Sequence, residues 1–171
     1  MYITLQQLGE KPGVMELAQV TAQQVGQPPA DWRIWGKILD GEDIANFSPV
    51  DVERVNQAIK RIEEVIADSS ALIDGYLRQR GYKLPFKQTP RILTTWARSL
   101  VRYYLHQHLP AKEADNPIVR DYRDTLKLLQ LVAEGKFSLG LEDELVPASG
   151  YPKFSKKASD RVFTAETLKD Y

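Results

Sequence analysis

Between Pro49 and Arg80 the apolar positions Val52, Val55, Ile59, Ile62, Ile66, Ile73 and Tyr76 fall on a strict alternation of three and four, with Ser69 as the only polar member. Ala58, Val65 and Leu72 repeat every seven beside that row. This period belongs to an α-helix, and a stripe wider than a two-stranded seam suits a helix packed against two neighbours. At 1.5 Å per residue a helix over about 49–80 would run roughly 45–50 Å, long for a chain of 171 residues. It is expected to organise the fold, and to protrude or bridge.

Three helix starts are written as a capping residue followed by proline: Ser48-Pro49, Thr89-Pro90 and Asn116-Pro117. Proline at the first helical position loses no hydrogen bond, because that N–H would be unpaired anyway, and the preceding side chain can accept from a free backbone donor. Phe47 and Val52 stand where a hydrophobic staple would place them, and Gly81 and Gly135 follow apolar runs as C-caps. The second helix, about 90–109, carries Leu93, Ala97, Leu100 and Tyr104 on one face, with Ile92, Trp96 and Tyr103 adjoining. Arg91, Arg98, Arg102 and His106 line up opposite. The third, about 117–134, repeats this logic with Ile118, Tyr122, Leu126, Leu129 and Ala133. Its polar face mixes Arg120, Arg123 and Lys127 with Asp121 and Asp124.

Upstream, Thr4 with Gln7 forms a capping-box pattern opening a short helix, and Pro12 to Val20 reads as another. In the stretch 21–47, Gln27-Pro28-Pro29 breaks the pattern, while Asp31 to Leu39, stopped by Gly41, reads as a helical turn carrying Trp32 and Trp35. After Gly135 periodicity vanishes. The reading is therefore all-α: a helical bundle over 1–135, with 21–47 as an insertion, and an extended C-terminal arm over 136–171. A last short turn is expected from Thr164 to Asp170. The arm holds Phe154, Val162, Phe163, Leu168 and Tyr171, too apolar for a spacer and too aperiodic for a core of its own. Either it folds over its own helices or it docks on a partner chain.

Composition narrows the function classes. With 43% hydrophobic and 27% charged residues the chain can bury a core, and 23 basic against 23 acidic residues leave no overall field to draw it onto nucleic acid or anionic lipid. The absence of cysteine removes disulfide frameworks, thiolate metal sites and cysteine nucleophiles. Neither a signal-peptide pattern nor a run approaching 18 apolar residues occurs, so a cytoplasmic chain without a membrane partner is expected. His106 and His108, two apart on a helix, point roughly 200° from each other and cannot share one ion. No metal and no cofactor is expected.

The remaining constellations each have a plain and a sharper reading. The stripe of Arg91, Arg98, Arg102 and His106 is either a face paired with carboxylates of a neighbouring helix or subunit, or a DNA-binding surface. Lys153, Lys156, Lys157 and Arg161 carry the same ambiguity, softened by Asp160 and the preceding acidic run. Trp32, Trp35, Trp96 and the pair Tyr103-Tyr104 read as core or interface anchors. Gly75 interrupts a helical run at a cost of roughly 1 kcal/mol against alanine, which suggests that it admits a neighbouring helix. Asp74 beside it would bond a backbone donor or an arginine. A small enzyme with a site around Asp74 and Tyr104 is the alternative from a third class.

Met1-Tyr2-Ile3-Thr4, Ile73-Asp74-Gly75-Tyr76-Leu77, Leu84-Pro85, Trp96-Ala97-Arg98 and Arg102-Tyr103 stand in an order that resembles the Mu-like phage neck family. So do Arg120-Asp121-Tyr122-Arg123-Asp124, Gly135 through Gly140, and the ending from Arg161-Val162-Phe163 to Leu168. The resemblance covers nearly the whole chain and departs at 21–47, which is longer than the usual connection. The family, formerly catalogued as a domain of unknown function, is similar in helical layout to the adaptor, connector or head completion proteins of long-tailed phages. The resemblance implies a virion protein made in the host cytoplasm, without catalytic residues. Its copies would form a ring, commonly twelvefold, joining the portal to a stopper, tail-terminator or other neck protein while DNA passes through. On that reading Phe154, Val162, Phe163, Leu168 and Tyr171 dock the arm on the portal or a neighbour. Arg91, Arg98 and Arg102 pair charges between subunits or face the channel, and Asp74, Gly75 and Tyr76 mark helix packing.

Overall fold

A computed structural model describes residues 1–25, 28–29, 31–106 and 116–141 of the chain. Its helices are α1 (Leu5–Leu8), α2 (Val14–Val25), α3 (Trp32–Asp40), α4 (Pro49–Arg80), α5 (Arg91–His106) and α6 (Pro117–Ala133), with no strand among the described residues. The fold is all-α, as the periodicity requires.

Local chemistry sets most of the boundaries. The Thr4 hydroxyl accepts from the Gln7 amide at 3.2 Å and the Gln7 side chain accepts from the Thr4 amide at 3.1 Å, a closed capping box. Asp31 caps α3 through the Arg33 amide, and Asn116 caps α6 through the Ile118 amide, both at 2.9 Å. At the end of α4 the chain reverses through Gly81 at φ +99°, a conformation that a side chain would strain, and the Gly81 and Tyr82 amides donate to the carbonyls of Arg78 and Leu77. Two expected caps differ. Ser48 precedes Pro49 but makes no side-chain capping bond, and α5 opens at Arg91, with the Pro90 carbonyl accepting from Leu93, so Thr89 lies outside the first turn. Between α1 and α2 a wide helical turn, Gly9–Gly13, is broken by extended backbone at Lys11, which delays α2 to Val14 rather than Pro12.

α4 is the spine of the bundle. Its 32 residues rise about 48 Å, and α1, α2, α3, α5 and α6 all pack against it. Val55, Ile62, Ile66 and Ile73 from the main row, and Val65 from the row beside it, are buried against α5 and α6 side chains such as Leu93, Leu100 and Leu129. Each such aliphatic contributes roughly 1.5–3 kcal/mol through burial. Val52, Ile59 and Tyr76 are only partly buried, which places the row's flanks at the bundle surface. The stretch 21–47 sends Ile34 and Trp35 into the core, both fully buried, whereas Trp32 is 53% exposed. The chain after α6 also returns to the bundle, where Phe137, Leu139 and Leu141 are partly buried and the Phe137 ring lies 6.0 Å from that of Trp96. Phe154, Val162, Phe163, Leu168 and Tyr171 lie outside the described residues, as do Gln107 and His108.

Ser69, the polar member of the α4 row, is fully buried and its hydroxyl has no hydrogen-bond partner among the described residues. A buried hydroxyl left unpaired costs about 1–3 kcal/mol. Ser69→Ala should therefore raise the urea midpoint, by the equivalent of about 1 kcal/mol at an unchanged slope. A lowered midpoint would mean that the hydroxyl is bonded after all.

Candidate interaction site

The basic stripe of α5 meets α2 and α6 along a cleft of about 340 Å³. Arg102 is one of the residues that line it. Its Nε and Nη2 donate to the two carboxylate oxygens of Glu16 at 2.6 and 2.8 Å, a fork-to-fork pair across 86 residues of sequence. That hydrogen bonding, ahead of an opposing effect of burial, holds the Arg102 proton more firmly than in an ordinary guanidinium. Glu16 lies in the first turn of α2, where the exposed amide dipoles favour a carboxylate. His106, one turn after Arg102, places Nδ1 at 2.7 Å from the Arg102 carbonyl and Nε2 at 3.6 Å from Glu16 Oε1. The carbonyl can only accept, so Nδ1 carries the proton of that bond.

Arg98, one turn before Arg102, also lines the cleft, but its Nε is buried and bonded to nothing among the described residues. Lys11, Asp121, Thr95 and Ser99 line the cleft as well. Arg91 is exposed and does not line the cleft. Thus the structure brings together two of the three arginines singled out in the sequence, and it adds Glu16 and Lys11, which sequence spacing offered no means of finding. Arg102 has its carboxylate within the chain.

Asp74 belongs to a separate cleft of about 210 Å³ that also includes Arg78 and Phe86. It accepts a hydrogen bond from the Tyr2 hydroxyl, and Arg78 Nη2 lies 3.9 Å away. Burial first, and then that bond, push the Tyr2 phenol well above its usual range. Gly75, expected to admit a neighbouring helix, is exposed, and a Cβ there would meet nothing within 4 Å among the described residues. Its place on the outer surface of α4 explains why: the core side of this turn is taken by Ile73 and Leu77, both fully buried. Tyr76 is partly buried against the core.

Tyr104 does not line the Asp74 cleft. It packs edge-on to Tyr122, which stacks on Tyr103 with ring centroids 3.7 Å apart and planes 9° from parallel. Burial and, after it, hydrogen bonding with Tyr122 push the Tyr104 phenol up to about 12. A phenol that holds its proton more tightly when folded contributes stability that is complete below the ordinary value near 10 and is lost as the unfolded chain ionises first. Stability should therefore fall between about pH 10 and 12, and Tyr104→Phe should flatten part of that slope in urea titrations, leaving the share due to Tyr2. An equally steep slope in the variant would exclude Tyr104 as a source. Among the described residues no group of three or more His, Asp or Glu side chains is placed to hold a metal ion, and no helix is long and apolar enough to cross a membrane.

Comparison with known proteins gives a consistent picture. A family profile described as Bacteriophage Mu, Gp36 matches residues 2–156. The Mu-like prophage FluMu protein gp36 of Haemophilus influenzae is 37% identical over 84 residues, 49% of this chain and 56% of that protein. Gene product J of Escherichia phage Mu is 34% identical over 105 residues, 56% of this chain and 71% of that protein. The chain thus spans just over half the length of the first relative and somewhat more of the second. No solved structure matches.

Proposed function

The chain belongs to the phage Mu Gp36 family, and from that premise we propose that it is a structural head–tail connector subunit of a virion neck. In this reading, copies close into a ring, twelvefold by analogy with adaptor proteins, that joins the portal to a stopper, tail-terminator or other neck protein and lets DNA pass unread. The single observation that carries it is the family match over 2–156 taken with an all-α bundle organised by one long helix. The resemblance to the Mu-like phage neck family implies a helical layout like that of the adaptors of long-tailed phages. The wedge of α4, α5 and α6 would pack against neighbouring wedges through different faces of each copy, so that repetition closes the ring. Phe154, Val162, Phe163, Leu168 and Tyr171 would fasten the arm to the portal or to an adjacent subunit. Function then resides in assembly, without chemistry.

The rival DNA-binding reading of the Arg91, Arg98 and Arg102 face is disfavoured by the intramolecular engagement of Arg102 with Glu16. Native mass measurement of the chain alone and after mixing with purified portal tests the connector reading. A ring of identical copies on the portal is expected. A chain that stays unbound and monomeric in the mixture would overturn it.

A further inference from the structure

The two ends of α4 carry opposite charge. Residues 40–53, which close α3, lead into α4 and begin it, hold Asp40, Glu42, Asp43, Asp51 and Glu53 and no lysine or arginine. Residues 78–91, which end α4, connect it to α5 and begin α5, hold Arg78, Arg80, Lys83, Lys87 and Arg91 and no acid. Part of this pattern has a local cause. Asp51, Arg78 and Arg80 complement the dipole of α4, while Glu42 pairs with Lys37 and Asp51 with Arg54. The dipole does not account for Lys83 and Lys87, which follow the helix. It opposes Arg91, a cation in the first turn of α5, where no acid stands. Lys83, Lys87 and Arg91 are exposed and have no ion-pair partner among the described residues. The same holds at the other end for Asp40, Asp43 and Glu53, of which Asp43 bonds the Ala45 amide and Glu53 the Gln57 side chain. The rise of α4, about 48 Å, is several times the screening length of roughly 8–10 Å, so neither end neutralises the other within one molecule.

We propose that the basic end of one copy docks on the acidic end of a second copy, with Lys83, Lys87 and Arg91 facing Asp40, Asp43 and Glu53. The inference rests on the connector reading and supplies one contact between its subunits. A second copy fits the basic end better than a nucleic-acid backbone does. One contact between copies answers the unpaired charge of both ends at once, whereas a duplex on the basic end leaves the acidic end as it was and is repelled by it. Exposed ion pairs alone contribute little, and the ends offer more than charge. Val50, 60% exposed, stands among the acids, and Met1, 82% exposed, lines the Asp74 cleft beside Arg78. The contact covers both side chains and so adds apolar burial to the charge pairing. Because it joins unlike faces, it repeats from copy to copy, which is what closing a ring requires.

Charge reversal tests the contact in the full-length chain, with association between copies followed by sedimentation and native mass measurement, alone and on purified portal. One variant carries Lys83→Glu, Lys87→Glu and Arg91→Glu, so that both of its ends are acidic; the other carries Asp40→Lys, Asp43→Lys and Glu53→Lys, so that both are basic. Each variant by itself should associate more weakly than wild type by about tenfold or more, since like charges then face each other. An equimolar mixture of the two should recover association, because alternating copies restore every opposed pair. That recovery also shows that both variants are folded, which their unfolding midpoints check independently. Association of the wild type should weaken as salt rises. Either variant associating like wild type, or a mixture that stays dissociated, overturns this inference and leaves the connector reading standing. So does a basic end that binds a short DNA duplex through Lys83, Lys87 and Arg91 while the copies assemble without those residues. A wild-type chain that never associates, alone or with portal, removes the reading beneath it as well.

Discussion

Trp35→Ala is expected to destabilise the chain by about 3–5 kcal/mol, a large part of the roughly 5–15 kcal/mol that holds a typical domain together. The indole is wholly enclosed, and in the helical turn that carries it Ile34 is equally buried. Truncation would leave a cavity that a close-packed bundle cannot collapse into without moving α2 and α4, both of which α3 touches. The Nε1 of Trp35 has no hydrogen-bond partner among the described residues, so Trp35→Phe should cost distinctly less than alanine, because it removes an unpaired donor while retaining most of the volume. Trp32→Ala, three residues earlier on the exposed side, should change stability by no more than about 0.5 kcal/mol. Urea unfolding of the three variants checks the ordering. If Trp35→Ala proved as mild as Trp32→Ala, the segment 21–47 would be an appendage after all.

The second large effect belongs to Glu16→Ala. Removing that carboxylate leaves the Arg102 guanidinium without its bidentate acceptor and adds its positive charge to those of Arg98 and Lys11 in the same cleft. Charge-assisted hydrogen bonds contribute about 1.5–3 kcal/mol, and since the two side chains retain 35% and 27% of their exposure, the lower part of that range applies. The loss should grow smaller in the double variant with Arg102→Ala, because a coupled pair is not additive. A double-variant cycle with no coupling would show that the pair is solvated and structurally idle.

Much of this fold can be read from local patterns because helices are local objects. Thr4 with Gln7, Asp31, Asn116-Pro117, Gly41 and Gly81 each act within a few residues of themselves, and each does in the structure what its chemistry suggests. The apolar rows of α4, α5 and α6 needed only their period. The contacts that define the clefts are of another kind. Glu16 meets Arg102 across 86 residues and Tyr2 meets Asp74 across 72, and no spacing rule connects such pairs before the helices have been packed. Gly75 shows the converse. A glycine in a helix says that a side chain is missing, but which way the vacancy faces depends on tertiary packing, and here it faces outward. Arg91, Arg98 and Arg102 share a face by period alone, whereas their different environments arise from where α2 and α6 cover that face.

A rod on which every other helix leans has a mechanical corollary. Between Val52 and Leu77 the axis of α4 rises about 37 Å without a proline or a kink, and hydrogen bonds along such a path are stiff to axial load. A push at one end cannot be absorbed locally; it must tilt the whole shaft and carry its five companions with it. Engagement at one pole of the molecule would therefore be felt at the other as a rigid rotation.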